Sequence, residues 1–334
     1  MTNTTPAPPS PAAAAPPPPS APEPWPPADA TIVAYDVSRA FAGLVAVSNV
    51  SMAVRPGVTA LLGPNGAGKS TLLRMLSGQI APTGGQVWVA GGNPRTDSEA
   101  RGRIGLVPQQ DGVFEQERGV DVVRLAAILS GIDDPDSRTQ WVLDLVEMDA
   151  SIERPMGSYS KGMRQRIKIA QALVHDPDVI MLDEPLNGLD PKQRRHMIDL
   201  FHELGEMGKT VLVSSHVLDE VERFGSHVIV IARGRMAAQG DFRAIRGLMD
   251  NQPLRIRVVC EQANRLAATL INSGSLVGCR VEAPNQVEVT TNDVRRFRRE
   301  LALACSDQQL RLEEVMPLDD DLESVFRYLV GGGA

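Results

Sequence analysis

The stretch GPNGAGKST, Gly63 to Thr71, decides the reading of this chain. It fits the pattern G-x-x-x-x-G-K-[S/T], whose mechanism needs a strand before it and a helix after it. The flanks supply both: the apolar run TALL precedes it, and TLLRMLSG follows with helical spacing. Gly63, Gly66 and Gly68 carry no Cβ, so the backbone between them can turn its N–H groups inward around phosphate oxygens. Lys69 supplies a cation for the outer phosphates. The hydroxyl of Ser70 offers one oxygen to magnesium, an ion that takes few protein ligands and keeps waters and phosphate oxygens. Asn65 and Thr71 complete the residues expected at the nucleotide. A second Gly-Lys-Thr, in MGKT at 207–210, fails the same test: Glu203 stands where the first glycine would be, and a strand pattern follows.

Outward from the loop, VIMLDEP (Val179–Pro185) is an apolar strand that ends in adjacent carboxylates. Neighbouring side chains on a strand point to opposite faces, so Asp183 and Glu184 are expected to do different work. One suits magnesium, and the other suits a water whose proton it accepts or orients. Further back, SYSKGMRQRIKIAQAL (Ser158–Leu173) opens on a small polar cluster and runs into apolar positions at helical spacing. Ser160 can cap that helix, and a helix start free of bulky side chains can also face a phosphate.

The chain has 334 residues, 43% of them hydrophobic and 22% charged, with a formal net charge of -7. That is room for roughly two domains, and the acidic balance argues against a nucleic-acid partner. No apolar run approaches the roughly eighteen residues that cross a bilayer. Three scattered cysteines, Cys260, Cys279 and Cys305, match neither a disulfide framework nor a metal-ligand spacing, as expected in a reducing cytosol. Residues 1–28 form a proline- and alanine-rich tail, with twelve of the twenty-five prolines in residues 1–27, and the composition predicts disorder there. From 29 to 248 strand and helix patterns alternate, as in an α/β core, with a mainly helical insertion at about 115–175. From 250 to 334 the order β-α-β-β-α-β-α predicts a small α+β domain of ferredoxin-like arrangement. Four arginines in VRRFRRE (Arg295, Arg296, Arg298, Arg299) read as a solvated helix face.

Taken in order, these motifs resemble the nucleotide-binding subunit of an ABC transporter over about residues 30–245. GPNGAGKST looks like the family's Walker A loop, VIMLDEP like its Walker B strand and YSKGM like its signature. Gln109 in GLVPQQ matches the glutamine that senses magnesium and faces the membrane subunit, with Gln110 beside it. Asp190 in NGLDP matches the loop that crosses the dimer interface. His216, after TVLVSS, matches the switch histidine at the terminal phosphate. Phe41 in AFAG takes the place of the aromatic on adenine, with Tyr35 as a nearby competitor.

The resemblance implies a P-loop NTPase core of ABC type with antiparallel β and helical subdomains. It implies Mg2+-dependent ATP hydrolysis with Glu184 as base and Lys69 and His216 stabilising transferred charge. Ser70, Gln109 and Asp183 would serve the metal. Family members work in pairs, and this chain carries one set of motifs. A second nucleotide-binding subunit, identical or related, is therefore expected, together with separate transmembrane permease subunits at the cytoplasmic face of the cell membrane. The commonest signature, Leu-Ser-Gly-Gly-Gln, here reads Tyr159, Ser160, Lys161, Gly162, Met163. Ser160 and Gly162, which meet the γ-phosphate in the family, are kept; Lys161 either adds a cation or points to solvent. The signature, NGLDP and the tail LEEVMPLDDDLESVF resemble an exporter subfamily. The competing expectation is a soluble ABC ATPase acting on ribosomes or DNA.

Overall fold

The computed structural model describes residues 25–110, 112, 114–225, 227–245 and 254–318. Most of the proline-rich tail, and the residues of LDDDLESVFRYL that follow its first, Leu318, lie outside the described residues.

Three short apolar runs become the centre of one sheet. β3 (Gly57–Leu62), β6 (Val179–Asp183) and β7 (Thr210–Ser215) lie in a six-stranded sheet with β5 (Ile104–Val107), β8 (His227–Ala232) and β9 (Arg235–Asp241), in the order β5-β6-β7-β3-β8-β9. All pairs are parallel except β8 with β9. Alternate residues of a strand serve the two faces: Ile180 and Leu182 join one core, and Val179 and Met181 the other. Burial on both faces is why these strands read as unbroken apolar runs.

One face is covered by α6 (Pro191–Glu206), α7 (Leu218–Phe224) and α5 (Lys161–Leu173), on which α3 (Gly119–Leu129) and α4 (Pro135–Leu145) pack. In α5, Ile167, Ile169, Ala170 and Leu173 are buried. Each of its larger aliphatic side chains is stabilising by about 1.5–3 kcal/mol. The other face carries α1 (Lys69–Leu76) and a three-stranded antiparallel sheet, β2-β1-β4, formed by β1 (Ile32–Phe41), β2 (Leu44–Val54) and β4 (Gly84–Val89). A five-residue helix, α2 (Ser98–Gly102), leads into β5.

The remaining described residues form β10 (Leu254–Cys260), α8 (Ala263–Asn272), β11 (Gly278–Ala283), β12 (Gln286–Thr291), α9 (Val294–Gln308) and β13 (Leu312–Pro317). Their strands make an antiparallel sheet in the order β11-β12-β10-β13. Ile256, Val258, Val287 and Val289 point to the helices and share a core with Leu266, Leu270 and Phe297. The three cysteines are free thiols in this part of the chain.

Candidate active site

The phosphate loop spans the six residues between the end of β3 and the start of α1. Gly66 (φ 78°) and Gly68 (φ 103°) adopt left-handed backbone, which glycine accepts without steric cost. Space adds a second requirement. A Cβ on Gly68 would stand 2.5 Å from the Ala46 carbonyl of β2, and one on Gly63 2.5 Å from the Ile231 carbonyl of β8. Asn65 is exposed on the loop, while Ser70 and Thr71 are half-buried in the first turn of α1. The Lys69 ammonium is buried and donates to the carbonyls of Gly63 (2.6 Å) and Pro64 (3.3 Å).

β7 lies between the strand that feeds this loop and the strand that ends in carboxylates, so its last residues sit at the centre of the site. Its register sets Ser214 beside Asp183 and Ser215 beside Leu62. The Ser214 hydroxyl donates to Asp183 Oδ1 (2.6 Å) and accepts the backbone N–H of Glu184 (2.9 Å). Glu184 itself has φ 52°, a left-handed conformation that costs a residue with a side chain about 1–2 kcal/mol. The Ser214 bond helps hold it there. Glu184 Oε1 lies 3.3 Å from Lys69 Nζ, and its Oε2 is 2.8 Å from His216 Nδ1. A carboxylate only accepts, so the proton of this bond is placed on Nδ1, which leaves Nε2 of the imidazole available. The two acids, each 5% exposed, thus have different partners: Asp183 a hydroxyl, Glu184 a cation and an imidazole.

Ser160, Gly162 and Asp190 form a second group at the starts of α5 and α6. Ser160 caps α5 by accepting the Met163 N–H (3.2 Å), as the sequence suggested. Asp190 caps α6 by accepting from Lys192 and Gln193 (2.9 Å each). A Cβ on Gly162 would lie 3.0 Å from the Gly188 carbonyl, so the two loops are in close contact. The side chain of Lys161, whose role the sequence left open, lies over Gly188: a Cβ on that glycine would meet Lys161 Cδ and Cγ at 2.7 Å. Among the described residues no hydrogen bond joins Ser160 or Gly162 to the phosphate loop. The glycine-bearing turn after β6 links the groups, since Asn187 N–H donates to the Glu184 carbonyl (3.3 Å).

Gln109 is exposed two residues past the end of β5, whose register with β6 carries it toward the acidic strand end. Lys168 of α5 donates to the preceding Pro108 carbonyl (3.1 Å). Phe41 closes β1 at a two-residue hairpin, Ala42 and Gly43, that pairs it with Leu44. Ala46, the residue packed on Gly68, follows Gly43 by three positions, and Phe41 carries the Arg39 guanidinium 4.5 Å from its ring centroid. Tyr35 pairs with Gln86 farther along β1 and stacks on Trp25 (5.6 Å). Of the two aromatics, Phe41 is therefore the one nearer along the chain to the residue packed on Gly68.

Comparison with known proteins gives this geometry a family. A family model described as ABC transporter matches residues 47–187. The chain is 30% identical over 301 residues to the uncharacterized ABC transporter ATP-binding protein YcbN of Bacillus subtilis, covering 89% of this chain and 96% of that protein. It is also 30% identical to the daunorubicin/doxorubicin resistance ATP-binding protein DrrA of Streptomyces peucetius, over 88% of this chain and 90% of the other.

The chain belongs to the ABC transporter ATP-binding proteins.

It is therefore an ATP-binding and ATP-hydrolysing subunit, and its core has the ABC cassette fold. The Nod factor export ATP-binding protein I of Cupriavidus metallidurans is 35% identical over 61% of this chain and 69% of its own length. A dimeric post-hydrolysis structure of the cassette MJ0796 bound to ADP and Pi superposes with a TM-score of 0.59 at 26% identity, covering 64% of this chain and 99% of that one.

The sequence singles out the glycine loop, the acidic strand end and the YSKGM helix start; it does not single out Ser214 or Ser215. Two serines ending an otherwise apolar strand, VLVSSH, carried the available signal, because a hydroxyl in a buried strand needs a partner.

Proposed function

We propose that this ABC protein powers export through separately encoded membrane subunits, hydrolysing ATP at sites completed by a second nucleotide-binding chain. The observation that carries the hydrolytic part is the contact of Glu184 with both Lys69 and His216 at the mouth of a glycine loop. The loop backbone and Lys69 hold the phosphates, and Phe41 lies against the adenine. Glu184 accepts the proton of the attacking water, held near the reacting phosphate by a backbone that Ser214 fixes. His216 turns Nε2 toward the terminal phosphate; in the form with hydrogen on both ring nitrogens it donates to Glu184 and to that phosphate, and with Lys69 stabilises the charge passed to the leaving oxygens.

Magnesium fits the donors present. A hydroxyl, a carboxylate and an amide oxygen suit an ion that takes few protein ligands and otherwise keeps phosphate oxygens and water. The Ser70 hydroxyl, Asp183 and Gln109 would hold it. Bound there, Mg2+ would supply positive charge to offset that of the phosphates.

Ser160 and Gly162, beside Asp190, complete the site of the partner chain. The dimer of MJ0796 with ADP and Pi supports a paired arrangement. Export is supported by the names of two relatives, Nod factor export ATP-binding protein I and the drug-resistance protein DrrA. No helix among the described residues is long and apolar enough to cross a membrane. A peripheral place on permease subunits at the cytoplasmic membrane face follows from this reading. A cavity of about 520 Å³ lined by Phe114, Leu125, Leu129 and Lys168 lies between the loop after β5 and the helices, and its exposed apolar side chains suit a permease segment.

In this reading residues 29–248 are the cassette, with 115–175 as its helical subdomain, and 250–334 an accessory domain. The β-α-β-β-α-β order, the strand order β11-β12-β10-β13 and the separate core around Phe297 support a ferredoxin-like arrangement for the latter. The 301-residue alignment with YcbN is longer than the cassette alone.

The test is Glu184→Gln. The amide keeps the shape but accepts no proton, so ATP binding should persist while hydrolysis falls roughly a hundredfold or more. Turnover equal to the parent chain would remove Glu184 from the mechanism.

A further inference from the structure

Glu220 is a buried carboxylate to which the hydrolytic mechanism assigns no role. It lies in α7, four residues after His216, and is 8% exposed. Ser215 Oγ donates to Glu220 Oε2 at 2.7 Å. The same Ser215 oxygen accepts the Val217 N–H at 3.0 Å. The residues on both sides of His216 are therefore fixed to one hydroxyl, and that hydroxyl is aimed by Glu220. The second oxygen, Oε1, lies 3.3 Å from Arg194 Nη1 on α6. Arg194 in turn donates its backbone N–H to the carbonyl of Asp190 (2.8 Å), the residue that caps α6.

A carboxylate in the first turn of a helix is favoured by the helix dipole. The dipole accounts for its sign, but an exposed acid would satisfy it equally well. Burial against a serine and an arginine from two other elements is what the dipole leaves unexplained. A buried charge persists where its partners are in place, and removing one partner leaves the other uncompensated.

We propose that Glu220 is a positioning residue for His216: it holds Ser215, and through Ser215 the turn that sets the imidazole against Glu184, while Arg194 ties this turn to the loop carrying Asp190. This rests on the reading of His216 as part of the hydrolytic site. Loss of Glu220 should then act on the chemical step. The phosphate loop binds ATP through Lys69 and its own backbone N–H groups, and touches the His216 turn only where Gly63 N–H donates to the Ser215 carbonyl (3.2 Å), so the main effect belongs in kcat.

The experiment is a double-mutant cycle on steady-state ATPase with the full chain, using Glu220→Ala, His216→Ala and the pair. Glu220→Ala alone is expected to lower kcat about tenfold or more with KM for ATP within about threefold. In the His216→Ala background the same change should cost less than about twofold, because residues acting as one unit are not additive. An equal loss in both backgrounds overturns the link to His216, as does unchanged kcat in Glu220→Ala. Parent-like turnover in His216→Ala alone removes His216 from the site and takes the proposal with it, a result separable from additivity in a slow His216→Ala chain. Should Glu220→Ala fail to fold, Glu220→Gln carries the same cycle. Its amide cannot both accept from Ser215 and compensate Arg194, and it is expected to give a loss of the same kind and smaller size.

Discussion

Replacing Ser214 by alanine removes one oxygen atom and two hydrogen bonds. The side chain is fully buried, with its hydroxyl on Asp183 Oδ1 at 2.6 Å and its oxygen on the Glu184 N–H at 2.9 Å. The first bond is charge-assisted and contributes about 1.5–3 kcal/mol. The second, once lost, leaves a buried backbone donor without a partner at a cost of about 1–3 kcal/mol. The two losses share one atom and overlap, so about 3 kcal/mol is the expected destabilisation. For a domain of roughly 200 residues that corresponds to a fall in Tm of about 6–12 °C. Turnover should fall as well, since Glu184 keeps its left-handed backbone with the help of that bond. Thermal unfolding followed by circular dichroism gives the first quantity and phosphate release the second. A Tm within about 1 °C of the parent, with unchanged turnover, would show that Ser214 organises neither carboxylate.

Three other outcomes follow from particular contacts. Lys161→Met keeps a long stem over Gly188 and should retain most of the parent ATPase activity; a phosphate-binding role for the charge predicts instead a loss reversed only by arginine, and steady-state kinetics of the two variants separates the cases. Gly188→Ala meets both a left-handed φ of 84° and the Lys161 stem, and should lower Tm measurably, with partial recovery when Lys161→Gly is added. Glu300 on α9 is held at a pKa of about 2, first by the hydroxyls of Ser273 and Ser275 and then by Arg296. A folded value below the ordinary 4.5 means its contribution is present above about pH 4.5 and lost as pH falls toward 2, so the Tm gap between the parent and Glu300→Gln should be open at pH 7 and narrow on acidification.

The order of elements was readable because local rules agreed with the fold. The phosphate loop needs glycine at positions that the backbone then uses at positive φ, and the central strands announced themselves as apolar runs because both faces are buried. The acids of the Walker B strand were expected to differ, and their partners do differ. What the sequence left open was decided by register and packing. Phe41 and Tyr35 are equivalent as letters; pairing places the first at the hairpin that leads to Ala46, the residue packed on Gly68, and the second against Trp25. Lys161 had no readable partner because its neighbour, Gly188, is distant in sequence and has no side chain to suggest a contact. Ser214, Arg194 and Glu220 went unread for a related reason: each gains meaning only from strand order, which sets β7 between β3 and β6, or from the packing of α6 on α7.

The backbone at Glu184 bears on how such a protein can change over time. A residue with φ 52° has a backbone that glycine or asparagine would adopt with less strain, yet either change would leave the buried Lys69 ammonium without its carboxylate. Selection for heat resistance alone should therefore find little to gain at 184, because relief of the backbone comes with a buried cation that has lost its countercharge. Glutamate and lysine are tied together at this site: neither can be exchanged alone without cost to the other.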